Sequence, residues 1–331
     1  MTEQRPIQTT PVGALRFNTD SSKLEYFDGN QYVNITTDSP EQHTGGTRGF
    51  AAGAFPSDDT IDFFQVDITG NSTDFGNLIQ ARQQSGSVAD RTRAVIAGGH
   101  PDTDVLQFIT MSSQGDATDA ADLTTARHGI SHCIGDSTRG ILIGGTPAVN
   151  TIEYVTIQSL GTPVDFGDMI TAARNPFGNS SPTRGIYTAQ ISPSQKNTIE
   201  YITISTLGNA SDFGDMSNNI VAKGGGGGNS IRGILINSAY SSLSVSVEFV
   251  TMATLGNAQD FGDLLTANNN IMTAASSPTR IVRLGGYSPA PSTNVMEYAQ
   301  IMTTGDFLDF GDLTISKGGR AGFSNGHGGL G

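Results

Sequence analysis

The chain has no tryptophan, a single cysteine, and few basic residues: 18 Lys and Arg stand against 31 Asp and Glu, a formal net charge of -13. With only Cys133 there is no intramolecular disulfide, so the fold has to rely on packing and closure, and the chain is compatible with a reducing cytoplasm. A nucleic-acid partner requires a basic stripe to neutralise phosphates, and none is visible, so no nucleic-acid binding is expected. The acid excess favours solubility and leaves scattered calcium sites as an open option. No basic start leads into a long apolar run. Neither a cleaved secretion signal nor membrane insertion is therefore expected, and work outside a cell would need another route of delivery.

Glycine and repetition are what the sequence has in excess. Glycine numbers 42 of 331 residues, about twice its usual share of roughly 7%, clustered in short turn-like groups. A Thr-Arg type dipeptide recurs with its arginine at Arg48, Arg93, Arg139, Arg184, Arg232 and Arg280. It alternates with an Asp-Phe-Gly-Asp type tetrapeptide beginning at Asp74, Asp119, Asp165, Asp212, Asp260 and Asp309, spaced 45, 46, 47, 48 and 49 residues apart. This period matches one four-stranded propeller blade and exceeds a leucine-rich repeat. The expected fold is all-β, a six-bladed β-propeller whose core is shared between blades.

The third copy gives the blade pattern. Ala126-Arg127 opens a candidate strand to Ile134, followed by RGILIGG from Arg139, IEYVTI from Ile152 and VDFGDM from Val164. The consecutive apolar residues Ile141, Leu142 and Ile143 suit a strand covered on both faces. The paired glycines after it, Gly144-Gly145, with Gly98-Gly99 and Gly285-Gly286 elsewhere, suit a tight exit at positive φ. The third strand always carries an aromatic: Phe63, Phe108, Tyr154, Tyr201, Phe249 or Tyr298. These rings are read as packing between blades, and the acidic residue before each as solvated on the opposite face. For the tetrapeptide aspartates three readings stand: a turn scaffold, an ion pair with a recurring arginine, or a calcium ligand. The third lacks the alternating oxygen ligands of an EF-hand loop.

The first Thr-Arg has no strand before it, while the last tetrapeptide is followed by an orphan segment. Residues 316–328 are therefore expected to supply the innermost strand of the first blade and close the ring, which removes exposed sheet edges. The Ala-Arg opening, the apolar strand ending in Gly-Gly and the Ile-Glu-Tyr strand together resemble a Kelch-type β-propeller over about residues 46–331. The Kelch tryptophan is missing, and Phe75, Phe166, Phe213, Phe261 and Phe310 are candidates to fill its volume. Gly-Asn-Ala-x-Asp-Phe-Gly-Asp, Ser-Pro-Thr-Arg and the Ser-Asn-Gly-His-Gly-Gly-Leu ending are similar to propeller proteins of marine tailed phages, especially those infecting cyanobacteria. That resemblance implies a virion component made in the host cytoplasm.

The front end differs. Leu15 and Phe17 alternate, Leu24 and Tyr26 alternate, Asp28-Gly29 signals a hairpin, and Tyr32 opens a last strand. This reads as a small β-meander over residues 1–38, joined by a linker at 39–46 to the propeller at 47–331. Three short strands bury too little surface alone and need a partner. The module resembles the attachment element of phage tail fibres, which implies docking on other virion proteins through residues 1–38, or on sister chains as a trimer.

Little points to chemistry, and no catalytic residue, metal or cofactor is expected. His43, His100, His128, His132 and His327 form no paired metal motif, with His128 and His132 on the expected strand. Cys133 reads as a buried structural residue, and the Gly224–Gly228 run as a flexible replacement for an Ala-Arg opening, since no Gly-Lys-Ser/Thr follows. Propeller sialidases carry Ser-x-Asp-x-Gly-x-Thr-Trp boxes that this chain lacks. The expected function is non-enzymatic: a tail fibre, baseplate or adhesin-like protein docked by its N-terminus. The loops after the Gly-Gly turns would face a host glycan or protein, with Tyr187, Tyr240, Tyr287 and His100 as candidate contacts. The alternatives are a capsid decoration or head fibre protein, and a carbohydrate-active propeller enzyme.

Overall fold

A computed structural model of the chain describes residues 10–19, 23–34, 46–190, 196–220, 224–237, 244–268, 273–286 and 292–330. The protein is all-β, built from several antiparallel sheets with one 3-10 turn among the described residues. It divides into two compact units, Met1–His43 and Thr44–Gly331. The expected linker at 39–46 falls outside the described residues apart from Gly46.

In the first unit, β1 (Leu15–Asn18), β2 (Lys23–Phe27) and β3 (Tyr32–Asn34) form a meander in that order. Asp28 makes the second turn by accepting the backbone N-H groups of Asn30 and Gln31 at 2.7 and 2.8 Å, which hold its carboxyl below the usual range. Leu15 pairs with Tyr26 and Phe17 with Leu24, so these four side chains share one face, together with Val33 opposite Tyr26. The other face carries Arg16, which lies 3.6 Å over the Tyr32 ring and donates to Glu25 at 2.7 Å.

The second unit contains six successive repeats. The first begins with β4 (Arg48–Ala54), β5 (Asp58–Gln65) and β6 (Thr73–Arg82). The second is β7 (Gly86–Ala89), β8 (Arg93–Ala97), β9 (Val105–Thr110) and β10 (Thr118–Asp122). The third and fourth merge into one six-stranded sheet: β11 (Arg139–Ile143), β12 (Val149–Thr156), β13 (Val164–Ser180), β14 (Arg184–Gln190), β15 (Lys196–Thr203) and β16 (Ser211–Ile220). Strand β13 joins them by pairing with β12 through Ala173 and with β14 from Arg174 onward. The fifth is β17 (Gly225–Gly228), β18 (Arg232–Ile236), β19 (Ser244–Thr251) and β20 (Gln259–Asn268). The sixth is β21 (Thr273–Ser276), β22 (Arg280–Gly286), β23 (Thr293–Gln300) and β24 (Leu308–Asp312). Finally β25 (Ala321–Ser324) returns to pair with β4, giving the order β25-β4-β5-β6.

Two expectations are corrected. The strand expected over Ala126–Ile134 does not form, because Gly129 and Cys133 adopt positive φ (65° and 47°), which interrupts extended backbone. Its place beside β11 is held by single bonds, such as Ile141 N-H to Ile134 O at 2.8 Å and Ile143 N-H to Ser131 Oγ at 3.0 Å. The acidic residues before the third-strand aromatics are not solvated: Asp62, Glu153, Glu200, Glu248 and Glu297 are all buried. Each takes a hydrogen bond from the repeat before it. Glu200 accepts the Ile170 N-H at 3.1 Å, Glu248 the Ser217 N-H at 2.9 Å and Glu297 the Thr266 N-H at 3.0 Å. The hydroxyls of Thr124 and Thr314 donate to Glu153 and Asp62. In the second repeat Gln107 holds the same position and accepts the Ile79 N-H at 2.9 Å.

The innermost segments are joined in a sequence of bonds that returns to its start. Gly322 O accepts Ser87 Oγ (2.8 Å), Ser87 O accepts Cys133 N-H (2.6 Å), and Ser180 Oγ accepts Gly135 N-H (3.3 Å). Asn229 O then accepts Asn179 Nδ2 (3.0 Å), Ser276 Oγ accepts Gly228 N-H (3.2 Å), and Thr273 Oγ1 accepts Gly322 N-H (3.0 Å). Small residues make this convergence possible. A Cβ at Gly226 in the all-glycine β17 would lie 2.4 Å from Gly178 O, so this run is set by close strand approach. Between Cys133, Asn179, Gly226, Ser276, Ser324 and His327 there is no room for a water molecule. The C-terminal residues cross the same region: His327 Nε2 meets Ala89 O at 2.8 Å, and a Cβ at Gly329 would collide with Gly135 O. Burial pushes the Cys133 thiol up to about 12, so it stays protonated.

Two outcomes follow from this packing. Glu153 is buried against Arg127, so Glu153→Ala leaves an uncompensated buried guanidinium. It should cost about 3–5 kcal/mol in urea unfolding, against about 1 kcal/mol for Glu248→Gln, whose partners are an N-H and a hydroxyl. Burial also lowers the His327 pKa from its ordinary 6.5. The folded state holds this ring neutral while the unfolded chain takes up the proton, so stability present above pH 6.5 is lost as the pH falls toward the lowered folded value. Comparing unfolding midpoints at about pH 7.5 and about pH 5.5 should show a decline that His327→Gln reduces.

Candidate functional site

The recurring arginines bind the array together. Each guanidinium lies over the third-strand aromatic of its own repeat: Arg48 over Phe63 (4.1 Å), Arg93 over Phe108 (4.7 Å), Arg139 over Tyr154 (5.0 Å), Arg184 over Tyr201 (4.8 Å), Arg232 over Phe249 (4.1 Å) and Arg280 over Tyr298 (4.6 Å). Five of them also reach the next repeat. Arg93, Arg139, Arg184, Arg232 and Arg280 donate to the carbonyls of Gln158 (2.6 Å), Ile204 (2.9 Å), Met252 (2.8 Å), Ile301 (3.0 Å) and Asp67 (2.8 Å). The last of these runs from the sixth repeat to the first.

The tetrapeptides follow the same logic. Asp74, Asp119, Asp165, Asp212, Asp260 and Asp309 are exposed, whereas Phe75, Phe166, Phe213, Phe261 and Phe310 are buried. The phenylalanine carbonyls accept the N-H groups of Gly115, Gly208, Gly256, Gly305 and Gly70, at 2.8 to 3.0 Å. The asparagine of the Gly-Asn turn completes the clamp, as where Asn209 Oδ1 accepts the Asp168 N-H at 3.0 Å. The tetrapeptide glycine is required here, since a Cβ at Gly167 would lie 2.4 Å from Gly208 O.

The candidate rim residues separate. Tyr187 is not on a loop: it lies in β14 at 1% exposure, and its hydroxyl donates to Glu200 Oε2 at 2.8 Å. Burial pushes its pKa far up, so it is a neutral core donor. The alternation of β14 turns it inward, because it pairs directly with Glu200. Tyr240 and Tyr287 lie outside the described residues. His100 is exposed on the β8–β9 connection, with its backbone bonded to Gln83 in both directions (2.7 and 3.2 Å).

His100 also has company that the sequence did not announce. His128, from the irregular segment before β11, sets its ring 5.0 Å from that of His100 at 70°. Its Nδ1 is 2.5 Å from Asp102 Oδ1. One ligand atom from each of His100, Asp102 and His128 lies within 4.8 Å of the others. Reading His128 with His132 along one strand missed this. The usable signal was repeat equivalence: His100 follows the Gly-Gly of one repeat and His128 the Ala-Arg of the next.

In the first unit Leu15, Phe17, Leu24 and Tyr26 are exposed, Leu15 and Phe17 at 64% and 62%, while Tyr32 is half-buried beneath Arg16. Their face is an exposed apolar surface. No protein-family model matches the chain, and a search among curated proteins finds no match.

Proposed function

We propose that residues 47–331 form a closed six-bladed β-propeller and that the protein is a non-enzymatic structural component of a tailed-phage virion. The N-terminal meander docks on other virion proteins or on sister chains, and the propeller presents its loops to a host-surface glycan or protein. The apolar face of Leu15, Phe17, Leu24 and Tyr26 carries this reading, because a three-stranded module with its apolar side turned outward is built to be covered. The bonds that run from the sixth repeat to the first, through Arg280, Thr314 and Gly322, support closure. The non-enzymatic reading is supported by the buried carboxylates, each of which is occupied by a neighbouring repeat. The meander resembles tail-fibre attachment modules, which favours a tail position over the capsid.

Leu15→Asp combined with Phe17→Asp should leave the melting of the second unit unchanged and remove the protein from purified particles, scored by their protein content. Normal incorporation would overturn the docking role, and labelling the particle distinguishes head from tail. Deleting residues 316–331 should turn a monodisperse protein into an aggregating one, because β4 loses its partner strand. Unchanged melting and solubility would count against ring closure.

A further inference from the structure

The geometry points to a site for one divalent transition-metal ion of the zinc class, held by His100, Asp102 and His128 at the junction of the second and third repeats. Two imidazoles and one carboxylate are a donor set that zinc takes at about 2.0–2.2 Å, with further positions left to water. A single carboxylate does not meet the demand of calcium or magnesium for several oxygen ligands. The ligand atoms are already gathered within 4.8 Å, so only small side-chain movements separate them from a common ion.

The backbone supports this arrangement. His100 is fixed to Gln83 by the two bonds described above, and His128 O accepts the Thr146 N-H at 2.7 Å. Gly129 N-H, next to His128, donates to Gln84 O at 2.7 Å, which ties the two ligand-bearing segments together. His128 Nδ1 and Asp102 Oδ1 lie 2.5 Å apart, so an imidazole and a carboxylate from the two repeats already meet, and an ion would be held by the neutral ring and the ionised carboxylate. Asp102 is 48% exposed and His100 is exposed, so the remaining coordination positions face solvent. The ion would cross-link neighbouring repeats at their loops. The inference does not depend on the virion reading.

The test uses the full chain stripped of metal and titrated with zinc chloride by calorimetry. The expected result is saturable binding of one ion per chain, with a cobalt(II) titration giving the visible bands of a nitrogen-coordinated, low-coordinate ion. His100→Gln and Asp102→Asn lie on an exposed connection and should retain the parent circular dichroism and metal-free melting. Each should weaken zinc binding by at least about 10-fold, while Asp119→Asn, on the outer β10, leaves it unchanged. No saturable one-ion binding, or binding that both ligand variants leave at parent strength, would overturn the site.

Discussion

The constraint on which the array depends is a buried polar group at one position of every repeat, a carboxylate in five and Gln107 in the second, that accepts a hydrogen bond from the preceding repeat. An ionised or polar group removed from water costs several kcal/mol unless it is bonded. At Glu200, Glu248 and Glu297 the compensating N-H comes from the outer strand of the preceding repeat, and at Glu153 and Asp62 a threonine hydroxyl comes from the same direction. A sheet slipped by one residue would turn the acid to the other face and strand the donor. The carboxylates therefore fix register between neighbouring repeats, while apolar burial supplies most of the driving force.

Close approach is the second requirement, and glycine and serine meet it at both ends of each sheet. At the inner end, Gly225–Gly228, Thr273–Ser276 and Ala321–Ser324 are strands of mostly small residues. Their side chains leave room for the hydroxyl and amide bonds that pass from strand to strand. At the outer end the tetrapeptide glycines sit near φ +150°, where the backbone of the next repeat's turn lies against them. Between these ends an arginine covers an aromatic ring and extends to the next repeat's carbonyl, so its stem packs while its head bonds.

The repeat period, the meander, the paired-glycine exits and the pairing partner of the C-terminal segment were all legible in the sequence, because each rests on local pattern. Gly98, Gly144 and Gly285 do take positive φ, as do the glycines that follow them. What escaped was whatever depends on the neighbouring repeat. Alternation correctly set Glu153 opposite Tyr154, yet in a sheet covered on both faces the opposite face is also interior, so solvation did not follow. The same omission put Tyr187 on a rim when its strand carries it to Glu200. The tetrapeptide aspartate invites three readings from sequence, a turn scaffold, an arginine partner or a calcium ligand, whereas the contacts to the next repeat are made by the phenylalanine carbonyl and the glycine beside it.

The junction between the second and third repeats departs most from the common pattern. The second tetrapeptide, Asp119-Ala120-Ala121-Asp122, lacks both phenylalanine and glycine, and so the clamp onto the following turn. There Leu160 takes a left-handed conformation, and the innermost segment of the third repeat holds only bridges. The apolar residues of this junction are nevertheless packed, with Val88, Val95, Leu142, Val155 and Ile157 buried in one cluster. His100, Asp102 and His128 converge at that junction. An ion bridging them would restore, through coordination, a connection that the missing clamp leaves weaker. The missing clamp lies at the Leu160 end of this junction and the ligand cluster at its Gly-Gly end, so the ion would add a cross-link at the opposite end of the sheet from the one that is lost.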